Sequence, residues 1–137
     1  MAVKITATYA GDKQVELRHG PSGNALLTDL PADSAGKGRT FSPTDLLASS
    51  LASCILTIMA GVAERDGIQF EGASIEVEKH MQESPRRVAR FACVVSFPGK
   101  LDERMQAKLL ACVKACPVHR SLHPDVKVEF TINESSK

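Results

Sequence analysis

Aromatic residues are scarce in this sequence, and neither sign of charge is in excess. Phe, Tyr and Trp make up 4% of the 137 residues, with one Tyr and no Trp. Proteins that hold single-stranded nucleic acids stack the bases on aromatic side chains. They also carry a basic excess or a basic stripe, whereas here 17 Lys and Arg face 16 Asp and Glu, a net charge of +1. The sequence therefore predicts no nucleic-acid partner.

Cysteine is also too rare for a disulfide-stapled fold, with four residues in the whole chain. The first residues, MAVKITATYAG, lack the charged and apolar regions of a signal peptide. We therefore expect a cytoplasmic protein whose thiols are reduced. The length predicts one domain over residues 1–137, large enough to bury a core of its own.

The spacing of apolar residues predicts strands at both ends of the chain and a hairpin in the middle. Alternation of apolar and polar residues, interrupted by Gly, Pro and Asn, is the pattern of half-buried strands joined by turns. Strand and helix patterns are segregated along the chain, which favours an α+β fold over a doubly wound parallel sheet. The predicted strands are residues 3–8, 14–18, 25–30, 73–81, 88–97 and 126–132.

Two helices are predicted between these strands. Ser42 is a good N-cap, Pro43 suits the first helical position, and Asp45 is placed to complete a capping box. This helix should end near Gly67. A second helix should begin at Asp102 and run to about residue 115.

The first helix contains an uncharged run from Leu46 to Ala63, which is close to the length that spans a bilayer. The run is rich in Ala, Ser and Thr, however, and charged residues bound it at Asp45 and Glu64. A helix that is apolar on all sides is also typical of a protein core or a subunit interface. We therefore expect this helix to be buried in a core or a subunit interface, and we expect no membrane partner.

The four cysteines differ in their surroundings. Cys93 and Cys112 lie on apolar faces of their elements and are predicted to be core residues. Cys54 lies in mid-helix among small residues, where a thiol is either inert or open to a ligand. Cys116 precedes Pro117, an N-cap-like position at which unpaired amides favour a thiolate.

One alternative for the second cysteine segment is a metal site. Cys112, Cys116 and His119 form a C-x3-C-x2-H group that could supply three ligands to zinc. Closed structural zinc sites usually take four ligands, often from paired C-x2-C units. The preferred prediction is that no metal is bound.

The two cysteine segments together resemble the OsmC/Ohr family of organic hydroperoxide reductases. The resemblance rests on SPTDLL at residues 42–47, on the small-residue helix that carries Cys54, and on Cys116-Pro117-Val118. It extends over nearly the whole chain. It implies an OsmC-like fold, with antiparallel curved sheets packed around a long central helix in an intertwined homodimer. The active sites would lie at the dimer interface.

The resemblance also implies a function without a cofactor. Cys54 matches the thiol that attacks an organic hydroperoxide and becomes a sulfenic acid, and Cys116 matches the resolving thiol that forms a disulfide with it. An external dithiol then reduces the disulfide. An alternative function has the same fold without catalytic turnover. In that case the protein would bind a small apolar or electrophilic molecule at the dimer interface.

The supporting residues are less well defined by the resemblance. The family has a Glu where this chain has Thr44, so Asp45 is the nearest carboxylate that could organise the site. The family also uses an Arg to stabilise the reactive thiolate. Arg39, in the loop before the helix, and Arg18, at the end of a strand, are the candidates.

Overall fold

The computed structural model describes residues 1–133, which form two compact units. The first comprises Met1–Leu47, and the second begins at Ala48. The helix α1 runs through the boundary between them. That both units belong to one domain stays a prediction. The elements in chain order are β1 (Ile5–Gly11), β2 (Gln14–His19), β3 (Ala25–Thr28), a 3-10 turn (Ala32–Ser34), α1 (Pro43–Arg65), β4 (Ser74–Gln82), β5 (Arg87–Ser96), α2 (Glu103–Ala111), a 3-10 turn (Cys112–Ala115), α3 (Pro117–Arg120) and β6 (Lys127–Asn133).

The first unit is built on an antiparallel sheet with strand order β1-β2-β3. Because side chains alternate between the two faces of a sheet, its register places the larger apolar residues together on one face. That face is open to solvent, since Ile5 is 58%, Tyr9 63% and Leu26 46% exposed. The apolar residues that share it are Ile5, Ala7, Tyr9, Val15, Leu17 and Leu26, beside His19 and Thr28.

The predicted start and end of the long helix are confirmed. The Ser42 hydroxyl accepts a hydrogen bond from the Asp45 N–H (3.1 Å), and the Ser42 N–H donates to the Asp45 carboxylate (2.9 Å). After Arg65 the chain turns at Gly67, which has φ +68°. The Ile68 N–H donates back to the Ala63 carbonyl (2.9 Å), so a Schellman motif ends the helix.

The second unit holds a sheet with strand order β4-β5-β6. The predicted hairpin is confirmed as the antiparallel pair β4–β5. The α+β class is confirmed as well, but β6 pairs parallel with β5, so this sheet is mixed rather than purely antiparallel. The connection through α2 and α3 explains the difference, because a parallel pair requires a long crossover whereas a tight turn produces an antiparallel one.

The core of the second unit lies between α1 and β5. One face of α1 contributes Leu51, Ile55 and Met59, and β5 contributes Phe91 and Val95; all five side chains have no exposed surface. Full burial of such a side chain contributes roughly 1.5–3 kcal/mol. The predicted core position of Cys93 is confirmed too, since it is 2% exposed within the same cluster.

Among residues 1–133, α1 is the helix long and apolar enough to cross a membrane by length and composition, with a mean hydropathy of 2.0 in its most apolar window. The core helix of a soluble protein meets the same criterion. Here Leu51, Ile55 and Met59 pack in one cluster with residues of β5. A third of the apolar window is buried (33%), and the rest of that window is partly or fully exposed.

Candidate active site

Cys54 lies on α1 beside the buried stripe of that helix. Its side chain is half-buried and packs against the core cluster of the second unit. The neighbouring Ala52 and Ser53 are small, and Ser53 is exposed. The thiol therefore contacts the apolar core on one side, and its neighbours on the helix are small enough to leave space around it.

Cys116 occupies the N-cap of α3, as the Cys-Pro sequence predicts. The predicted second helix gives way at Cys112 to a 3-10 turn, and Pro117 begins α3. The Cys116 side chain has no exposed surface, and its sulfur accepts a hydrogen bond from the His119 N–H at 3.3 Å. A Cys-Pro break in a helix thus fixes the position of one buried sulfur.

The two thiols, distant in the sequence, meet in the second unit. The Cys54 side chain packs against the core cluster to which Cys116 belongs. Burial, followed by the neighbouring Cys54 thiol, raises the pKa of Cys116, while the backbone N–H groups of His119 and Val118 act in the opposite direction.

The other two cysteines are engaged elsewhere. Burial raises the pKa of Cys93 to about 11, which keeps it protonated and unreactive. The Cys112 thiol donates to the Leu109 carbonyl at 2.8 Å, and burial raises its pKa as well. Over residues 1–133, no three His, Cys, Asp or Glu side chains converge as metal ligands. The C-x3-C-x2-H group is therefore not assembled as a metal site.

Arg39, in the first unit, makes an extensive contact with Asp29. Its Nε lies 2.7 Å and its backbone N 2.9 Å from the Asp29 Oδ2 atom, and its Nη2 lies 3.1 Å from Oδ1. Its Nη1 also lies 3.1 Å from a carboxylate oxygen of Asp12. Sequence reasoning missed Asp29, for which the only signal was a single acidic residue at the end of an apolar strand pattern.

The remaining predicted site residues also lie in the first unit. Asp45 completes the capping box of α1. Arg18 is 53% exposed, and its guanidinium contacts the Gly23 carbonyl at 3.0 Å and Glu16 at 3.3 Å. The structure thus brings Cys54 and Cys116 together in the second unit. The catalytic parts of Asp45, Arg39 and Arg18 stay predictions.

Comparison with known proteins identifies the family of this chain. Residues 36–131, more than half of the chain, match the model of the OsmC-like protein family. The chain belongs to the OsmC-like family. The resemblance predicted from the two cysteine segments is thereby confirmed. No curated protein matches this OsmC-like chain.

Several solved structures share the fold of this OsmC-like protein. A structure from Psychrobacter arcticus, proposed to be an osmotic stress induced and detoxification response protein, is 41% identical over 94% of both chains, with a TM-score of 0.91. The organic hydroperoxide resistance protein OsmC of Legionella pneumophila is 20% identical over 97% of both chains (TM-score 0.80). The organic hydroperoxide resistance protein OhrB of Bacillus subtilis is 20% identical over 97% of this chain and 98% of its own (TM-score 0.71).

Proposed function

We propose that this OsmC-like protein is a thiol-dependent peroxidase that reduces organic hydroperoxides. The observation that carries the proposal is that Cys54 and Cys116, distant in the sequence, pack in the same core cluster. The Cys54 side chain is half-buried, whereas Cys116 has no exposed surface. The names of its structural neighbours, which include two organic hydroperoxide resistance proteins, support the same chemistry.

The proposed reaction uses the two sulfurs and an external reductant. The Cys54 thiolate attacks the terminal oxygen of the hydroperoxide, the O–O bond breaks, and Cys54 becomes a sulfenic acid, while the rest of the peroxide leaves as an alkoxide that takes a proton from solvent to become an alcohol. The Cys116 sulfur then attacks the Cys54 sulfur, which releases water and forms a disulfide. An external dithiol reduces this disulfide by thiol exchange. A disulfide requires the two sulfurs to lie about 2.05 Å apart, and both cysteines pack in the same core cluster.

A homodimer is part of the proposal. The first unit exposes the apolar sheet face that contains Ile5, Tyr9 and Leu26, and the second exposes much of an apolar helix. Exposed apolar areas of this kind mark interaction sites in soluble proteins. A second copy of the chain carries both kinds of surface. We therefore propose that the protein is a cytoplasmic homodimer in which each copy covers the exposed apolar surfaces of the other.

A peroxide consumption assay tests this function. Purified protein with a dithiol should consume cumene hydroperoxide, and Cys54→Ser should abolish the activity. Cys112→Ser is the matched control, because Cys112 is half-buried but engaged with Leu109, and it should retain the activity. Unchanged consumption by Cys54→Ser would end the proposal.

Mass spectrometry separates the enzyme from the alternative of a non-catalytic binder. Brief exposure of the reduced protein to cumene hydroperoxide should yield a Cys54–Cys116 disulfide, with Cys93 and Cys112 left as thiols. Free thiols at all four positions, together with no peroxide consumption, would favour a protein that binds a small apolar or electrophilic molecule without turnover.

A further inference from the structure

A glycine-rich loop of the first unit, between the first 3-10 turn and α1, carries two cations, Lys37 and Arg39. A Cβ on Gly36 would collide with the Leu30 carbonyl, and Gly38 has φ +56°. The Gly38 N–H donates to the same Leu30 carbonyl at 3.1 Å. Glycine is the residue that allows a backbone to pack this closely and to adopt a positive φ. The loop backbone therefore fixes the positions from which the two cationic side chains extend.

The two cations converge on one oxygen atom. The Lys37 Nζ lies 3.0 Å and the Arg39 Nη1 lies 3.1 Å from the Asp12 Oδ2 atom. Another edge of the Arg39 guanidinium, formed by Nε and Nη2, is held by Asp29, whose side chain has no exposed surface. Asp29 thus orients the guanidinium so that Nη1 is directed at the same point as the Lys37 ammonium. Two cationic donors directed at one oxygen are suited to bind an oxyanion.

The group that now occupies this point is replaceable. The Asp12 side chain is 57% and the Lys37 side chain 63% exposed, and exposed ion pairs are weak because water screens them. The Arg39 Nη2 atom separately contacts the Asp12 backbone carbonyl at 3.1 Å. The Asp12 carboxylate can therefore rotate into solvent while this backbone contact holds the turn in place, which leaves both cations to an external ligand.

We propose that Lys37 and Arg39 form a binding site for a phosphate group, free or esterified, and that Asp12 is its internal competitor. A phosphate group carries more than one negative charge at neutral pH, whereas the Asp12 carboxylate carries one. A phosphate group therefore has a charge advantage over Asp12 for the two cations, and an external carboxylate has none. The site is independent of the proposed peroxidase function.

The experiment follows the backbone amide signals of Asp12 and Lys37 by NMR while inorganic phosphate is added to the full-length protein at constant pH and ionic strength. We expect a saturable shift with phosphate and no saturation with acetate over the same concentrations. Asp12→Asn removes the competing charge, and Asn tolerates the positive φ of this position (56°). This variant should bind phosphate about fivefold more tightly, the factor that corresponds to loss of one exposed ion pair.

Lys37→Gln and Lys13→Gln form a matched pair, because each removes one positive charge from the same unit. Lys37 supplies one of the two converging cations, so its replacement should weaken phosphate binding about tenfold. Lys13→Gln should keep the wild-type affinity. Equal weakening in the two variants would show a general effect of net charge and would overturn the site. An unchanged affinity in Asp12→Asn, or equal binding of acetate and phosphate, would also overturn it.

A titration with glycerol phosphate distinguishes the two sources of the ligand. Tighter binding than that of inorganic phosphate would assign the site to a phosphate ester, and equal or weaker binding would assign it to free phosphate. Failure of the wild-type protein to bind either compound would overturn the proposal.

Discussion

The Arg39 side chain holds the Asp29 carboxylate through two nitrogens, Nε at 2.7 Å and Nη2 at 3.1 Å. Asp29 is 1% exposed, and its carboxylate also accepts the N–H groups of Leu30 and Arg39 at 2.9 Å each. The hydrogen bonds therefore tie the end of β3 to the loop that leads into α1. Such an arrangement fixes both the entry to the helix and the position of the one arginine in that loop.

Stability in acid should depend on Asp29. Its hydrogen bonds to the Arg39 side chain, and then to the Arg39 backbone, lower its pKa from 3.8 to about 2. A carboxylate with a lowered pKa stabilises the fold at pH values above its ordinary pKa, and this stabilisation is lost as the pH falls through the native value. We therefore expect Asp29→Asn to unfold at lower urea than wild type at neutral pH. The difference should shrink between pH 4 and about 2.

Urea midpoints measured for both proteins at each pH test this expectation, because other carboxylates titrate alike in the two and cancel. A difference that is constant down to the lowest pH would show that the Asp29 carboxylate does not contribute through its charge.

The prediction that Arg39 or Arg18 supports the Cys54 thiolate can be tested with a matched pair of variants. Arg39→Gln and Arg18→Gln remove the same charge from the two candidates. We expect one of them to lower the second-order rate of Cys54 oxidation by cumene hydroperoxide about 100-fold, as loss of a preorganised charge partner does. Arg39→Gln should in addition lower the urea midpoint, since it breaks the contact with Asp29. Wild-type rates in both variants would remove the arginine from the proposed site.

Asp45 has a structural task that can be separated from a catalytic one. Ser42→Ala and Asp45→Ala each remove half of the reciprocal capping pair, so each should lower the free energy of unfolding by about 1 kcal/mol. The double variant should lose less than the sum, because the two hydrogen bonds belong to one motif. If Asp45 also organises the site, peroxidase activity should fall in Asp45→Ala alone. Equal peroxidase activity in Ser42→Ala and Asp45→Ala would show that Asp45 caps the helix and does not organise the site.

The sequence predicted this helix start well because the signal is local. Ser42, Pro43 and Asp45 lie within one turn, and their side chains satisfy the backbone of that same turn whatever the rest of the chain does. The N-cap at Cys116 was predictable for the same reason, since Pro117 ends one helical segment and begins another. The alternation of apolar and polar residues likewise predicted the β4–β5 hairpin.

Relations between distant segments were not predictable from the residues. The parallel pairing of β6 with β5 depends on how α2 and α3 cross the sheet, and the alternating pattern of β6 is the same for either direction. Asp29 had no local partner to reveal it, because Arg39 comes from the far side of a loop. The contact between Cys54 and Cys116 was expected only through the family resemblance, and no spacing rule would have suggested it.

The proposed dimer can be tested on one strand with two adjacent residues. Ile5 lies on the apolar face of the first sheet and is 58% exposed, whereas Thr6 points to the opposite face. If a second copy covers the apolar face, Ile5→Lys places an unpaired charge in the interface, which is costly, whereas Thr6→Lys leaves the interface intact. Sedimentation should therefore show a dimer for wild type and Thr6→Lys, and a monomer for Ile5→Lys at the same concentration. A dimer in all three, or a monomeric wild type, would contradict the proposed interface, because the apolar face would then be open in the native protein.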